Sequence, residues 1–173
     1  MPTIILLDAG PLGLVTNPKA STAATACNLW LEHLLEQRIE VVIPEIADYE
    51  VRRELLRAHK IRGLQRLHAL SQSLPYAPIS TAIMRIAVGL WAQARQQGRP
   101  MADPAALDAD VILAATAIHI LEGASDFDAS EALIRKAQVI VATTGVVKFA
   151  VQQYRANAKS RRGIDKEHQA AKI

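Results

Sequence analysis

Hydrophobic residues recur along this chain in two rhythms. Short apolar runs at residues 3–7, 40–43 and 139–142 are set off by Pro, charged or polar residues and read as buried strands. Longer segments repeat their apolar positions at helical spacing, over residues 22–37, 45 to about 60, 61–74 and 81–98. Leu29, Trp30 and Leu34 stripe the first of these, and Leu64, Leu67, Leu70 and Leu74 the third. Residues 107–121 are apolar on nearly every side, which predicts a helix buried all round. Residues 76–79 form a candidate short strand ahead of a Ser80-Thr81 cap, and Gly98 and Pro100 close the helix that follows. Residues 99–106 read as a loop and 123–128 as a break, with short helical stretches at 130–136 and 147–154. Alternating strands and helices predict an α/β chain, a three-layer α/β/α fold with a mainly parallel central sheet.

The polar residues at the ends of these elements are the next clue. Asp8 closes the first apolar run and is followed at once by Ala9-Gly10-Pro11-Leu12, so the strand is expected to stop abruptly on a carboxylate. The carboxyl ends of strands are where open α/β sheets bind ligands. A buried carboxylate there needs a metal, a partner or an N–H donor, and a turn or helix cap is the plain alternative. Glu50 lies a turn and a half into the helix after the second strand, with Glu54 on its face at i+4. Arg53 and Arg57 are candidate ion-pair partners for Glu50, and Glu45 stands at the helix start, where acids complement the dipole. The apolar helix at 107–121 opens on Asp108 and Asp110, one carboxylate more than a cap requires. Oxygen ligands without His or Cys suit a hard cation, Mg²⁺ or Mn²⁺, and that chemistry serves phosphodiester cleavage. His33, His59, His68, His119 and His168 have no metal-ligand spacing and read as surface or packing residues.

Composition narrows the choice. The chain of 173 residues has the size of one domain, and half of it is hydrophobic, enough for a core. Aromatics make up only 4%, which argues against a base-stacking platform. The net charge of +3 matters mainly through its distribution. Arg155, Lys159, Arg161, Arg162, Lys166 and Lys172 face only Asp165 and Glu167 near the end of the chain. The expected organisation is therefore one domain over 1–154 and a basic tail over 155–173, which either contacts phosphate or is simply solvated. Cys27 is the single cysteine, expected to pack in the core, so neither a disulfide framework nor a cysteine metal site is available. No apolar stretch is long enough to span a membrane and no signal-type segment opens the chain, so a cytoplasmic protein is expected. Gly10-Pro11-Leu12-Gly13 lacks the spacing of a phosphate-binding loop.

Three segments resemble the PIN domain, the small metal-dependent ribonuclease fold. They are Ile4-Ile5-Leu6-Leu7-Asp8, Tyr49-Glu50-Val51 in the helix after strand two, and Asp110-Val111-Ile112-Leu113-Ala114-Ala115-Thr116-Ala117. In order, they span about residues 3–150. The family's last segment is met by Thr143 and Phe149, whereas Gly145 stands where an Asn or Asp is usual. The resemblance implies a VapC-type toxin ribonuclease that cuts RNA with a metal-activated water. Asp8, Glu50 and Asp110 would hold Mg²⁺ or Mn²⁺, with Asp108 as a fourth acid. It also implies an antitoxin protein as partner and a homodimer, with the helices at 45–60 and 61–74 as candidate contacts. Gly145 keeps open a second reading, a non-catalytic PIN-like module that binds RNA or protein. Asp126 and Asp128 are not expected to be ligands.

Overall fold

β-branched residues and leucines on both faces of a strand call for a helix layer on each side. The computed structural model, which describes residues 3–98, 108–123 and 138–142, has that arrangement. Its elements run β1 (Thr3–Leu7), α1 (Ala9–Thr16), α2 (Thr22–Glu36), β2 (Glu40–Pro44), α3 (Glu45–Arg57), α4 (Ile61–Ser73), β3 (Tyr76–Ala77), α5 (Thr81–Gln96), α6 (Ala109–Leu121) and β4 (Gln138–Ala142). The four strands are parallel in the order β3-β2-β1-β4, so β1 is flanked on both sides. Ile5 stands opposite Val41 of β2 and Ile140 of β4.

Alternation along the strands divides the core in two. Ile4, Leu6 and Val42 pack with α5 and α6, through Ile83, Ala87, Ile112 and Ala115 among others. Ile5, Leu7, Val41 and Ile43 point the other way, into a cluster with Leu12 and Val15 of α1, Leu31 and Leu34 of α2, Val51 of α3 and Leu67 of α4. The result is the expected PIN-like three-layer α/β/α fold. Helix α6 is buried without a break from Val111 to Ile120. Its one hydroxyl, on Thr116, is matched inside the helix by donating to the Ile112 carbonyl at 2.9 Å. Among the described residues no helix is long and apolar enough to cross a membrane.

Several element ends shift by one to three residues from the expectation, and four departures have a clear local cause. The stretch after Asp8 is no turn but helix α1, because Pro11 is its third residue, where a missing N–H is harmless. The first bond of that helix runs from Leu12 N to Asp8 O at 3.0 Å, one residue beyond the proline. Helix α6 starts at Ala109 rather than 107, since Asp108 is its cap. Strand β3 keeps only Tyr76 and Ala77, for Pro78 follows with no N–H to donate. Helix α5 ends at Gln96, two residues before Gly98 takes the left-handed conformation at φ 68°. The helices expected at 130–136 and 147–154, and the tail at 155–173, lie outside the described residues.

Candidate active site at the strand ends

The candidate site draws on the end of β1, helix α3 and the first turn of α6. Asp8 follows β1 directly and caps α1: its Oδ1 accepts the Ala9 N–H at 2.7 Å, and the residue is 9% exposed. The plain expectation for Asp8, a helix cap, is met by a side chain that is also buried. Helix α3 springs from Pro44 without an intervening loop, so Glu50 lies near the neighbouring strand's end. Glu50 is half-buried and its carboxyl is pushed up by that burial, then by the charge of Asp8, against a lowering by Arg53, and further up by Asp110. Asp110, in the first turn of α6, is likewise pushed up by burial, then by Asp8 and by Asp108. Asp8, Glu50 and Asp110 thus come from three elements into one electrostatic neighbourhood.

Asp108 does what one of the pair was expected to do. Its Oδ1 accepts the Val111 N–H at 3.2 Å, capping α6, while its charge bears on Asp110. The acids are near enough to repel, yet among the described residues no three His, Cys, Asp or Glu side chains close tightly enough to grip an ion directly. Thr143, Gly145 and Phe149, which would complete the family pattern, lie outside the described residues, as do Asp126, Asp128 and His168.

Neither arginine pairs with Glu50. Arg57 Nε and Nη2 each lie 2.8 Å from Oε2 of Glu54, and Arg53 Nε is 3.5 Å from Glu54 Oε1. Arg53 also stands over the Tyr49 ring at 5.5 Å. Among the described residues Glu50 makes no ion pair. A cleft of about 430 Å³ opens beside it, bordered by Gly13 of α1 and, along and beyond α3, by Arg53, Glu54, Leu55, Arg57 and Lys60.

A second charged centre on α3 was not foreseen. Asp48 is 6% exposed and takes a two-pronged contact from Arg52, Nε to Oδ2 at 2.9 Å and Nη2 to Oδ1 at 2.8 Å. Burial, then Asp48 and Glu45, push the Tyr76 phenol up to about 12, so it stays protonated beside them. Glu45 does more than complement the helix start: its Oε2 accepts the Ile79 N–H at 2.6 Å and ties the segment after β3 to α3. The i,i+4 spacing of Asp48 and Arg52 was the available signal. Cys27 is only partly buried, with Sγ 3.7 Å from the Pro11 carbonyl, and desolvation raises its thiol. Of the described histidines only His119 is buried.

No family model matches the chain and no curated protein matches it. Among solved structures it is similar to VapBC2 from Rickettsia felis bound to a DNA fragment from their promoter, at 16% identity over 67% of this chain and 81% of that one, with a TM-score of 0.49. It is also similar to FitAcB from Neisseria gonorrhoeae, at 20% identity over 86% of this chain and 93% of that one, with a TM-score of 0.53. The likeness to the FitAcB chain is one of fold, the α/β/α frame alone.

Proposed function

We propose that the protein is a PIN-type endoribonuclease that depends on Mg²⁺ or Mn²⁺ and acts as the toxin of a toxin–antitoxin pair. One observation carries this reading: carboxylates from β1's end, α3 and α6 come together, so that Glu50 and Asp110, raised first by burial, are raised further by the charge of neighbouring acids. Such repulsion is what a divalent cation relieves. The donor set, all carboxylate oxygen, suits a hard ion. Among the described residues no three such side chains form a ready ion site, so an ion held here would have to keep several of its waters, as Mg²⁺ does elsewhere. Asp8, Glu50 and Asp110 would hold it, with Asp108 adding negative charge from the α6 cap. When bound, the ion neutralises charge on a phosphate and acidifies water. The chain's own part is to fix the three carboxylates: Asp8 by its bond to Ala9 N–H, Asp110 by the buried helix it opens, Glu50 by the α3 junction with β2. An antitoxin protein covering this edge and a homodimer belong to the same proposal.

The test is cleavage of a labelled structured RNA with and without Mn²⁺, for the wild type beside Asp8→Asn. Asparagine is as good a cap as aspartate, so α1 is preserved while the charge is lost. Mn²⁺-dependent cutting by the wild type alone is the expected result. A folded Asp8→Asn protein that cuts as well as the wild type would refute the assignment. Gly145 favours a second reading, a PIN-like module that binds RNA or protein without cutting it. That reading predicts no Mn²⁺-induced rise in thermal stability, whereas an ion-binding site must produce one.

A further inference from the structure

The cleft beside Glu50 contains an arrangement for which the ion-binding acids have no use. Glu54 is exposed, and its carboxylate lies between two guanidinium groups, held by Arg57 through two 2.8 Å contacts and faced by Arg53 at 3.5 Å. Lys60 borders the same cleft, so three cations there face the two carboxylates of Glu50 and Glu54. Arg53 links this strip to the candidate active site, since its charge also acts on Glu50. A carboxylate between two guanidinium forks occupies the seat that a phosphodiester fits, with two anionic oxygens meeting planar donors. Exposed ion pairs contribute little net stability, so Glu54 can be exchanged for another anion at small cost.

Resting on the ribonuclease reading above, we propose that Arg53 and Arg57 seat a backbone phosphate of single-stranded RNA adjoining the one to be cut. Lys60 extends the track. Glu54 fills the seat in the free protein and swings out when RNA arrives, so it is a built-in competitor of substrate. Arg53 and Arg57 are positioning residues: they do not touch the reacting atoms, and they read no base.

The experiment is fluorescence anisotropy with labelled single-stranded RNA in chelator, so that binding is separated from cutting, over a series of KCl concentrations. Arg57→Gln is expected to weaken binding about three- to tenfold, equally for different sequences, and to reduce the slope of log affinity against log salt by about 0.7. Arg57→Lys keeps the charge and is expected to retain most of the slope but not all of the affinity. Glu54→Gln is expected to tighten binding severalfold. Unchanged affinity in Arg57→Gln and Glu54→Gln, with the wild type binding normally, overturns the phosphate seat and leaves the nuclease reading standing. That reading fails separately, by absence of Mn²⁺-dependent cutting. Sedimentation of the same variants covers the competing occupant. A changed oligomeric state at unchanged RNA affinity would assign the cleft to an interface between two copies of the chain and overturn the proposal.

Discussion

Neutralising Glu50 should make the metal-free protein more stable. Glu50→Gln keeps size and helix propensity and lies beyond the first turn of α3, so neither packing nor the helix dipole changes much. What changes is a half-buried charge facing Asp8 and Asp110. Glu50 retains contact with solvent and with Arg53, and partly exposed charge pairs are worth about 0.2–1 kcal/mol, so the gain should be about 0.5–1 kcal/mol. For a chain of this size that is a rise of roughly 1–4 °C in Tm. The sign follows from linkage: the folded state holds the Glu50 proton to higher pH than the unfolded chain, where it leaves near about 4.3. The wild type is therefore penalised progressively as pH rises through that range and fully at neutrality. Differential scanning fluorimetry in chelator should show the variant ahead at pH 7 and level with the wild type near pH 3.5. Added Mn²⁺ should reverse the order, because a ligand at about 100 times its Kd adds roughly 2.7 kcal/mol to whichever protein binds it. A variant less stable than the wild type in chelator at pH 7 would refute the argument that these carboxylates repel.

Two further outcomes test the supports of the site. A methyl group on Gly63 would meet Leu55 Cδ2 at 2.7 Å, so Gly63→Ala should lose about 1–3 kcal/mol to overpacking and regain about 1 from helix propensity, a net loss of up to about 2. In a Leu55→Ala background the clash is gone and the same change should stabilise by about 0.5–1 kcal/mol in urea unfolding; equal signs in both backgrounds would disprove the close approach of α3 and α4. Asp48→Ala removes the acceptor of both Arg52 bonds and should cost about 1–3 kcal/mol, with the Tyr76 phenol, relieved of that charge, titrating lower in an ultraviolet pH titration; an unmoved phenol would contradict the contact.

Much of this architecture can be read from apolar runs alone. Residues 3–7, 40–43 and 139–142 are too short and too uniformly apolar for surface helices, and they became three adjacent parallel strands. The relentless apolarity after Asp110 likewise translated into a helix buried on every side. Local punctuation was the weaker guide. Gly10-Pro11 looks like the end of regular structure, but proline obstructs a helix only where its N–H would be needed, and one residue's displacement decides that. Pairings were legible only as options. Glu50, Arg53, Glu54 and Arg57 share a helix, and which acid takes the arginines depends on how far each is buried against α1 and α6. Asp48 shows the same limit: its spacing to Arg52 is common on exposed helices, and only the position of β3 makes it a buried anchor. The grouping of Asp8, Glu50 and Asp110 came from order along the chain together with a family resemblance, and it needed three dimensions to acquire an electrostatic meaning.

Helix α6 has a consequence for how this protein can be controlled. Two of the acids stand at the tip of an element enclosed for ten consecutive residues, from Val111 to Ile120. A segment so enclosed is expected to open only with much of the molecule, so its amide hydrogens should be among the last to exchange. Asp108 and Asp110 are therefore anchored to the most durable part of the fold, and no loop rearrangement of modest energy can withdraw them. An inhibitor that acts reversibly on these two acids is expected to obstruct them from outside rather than to deform the helix that carries them.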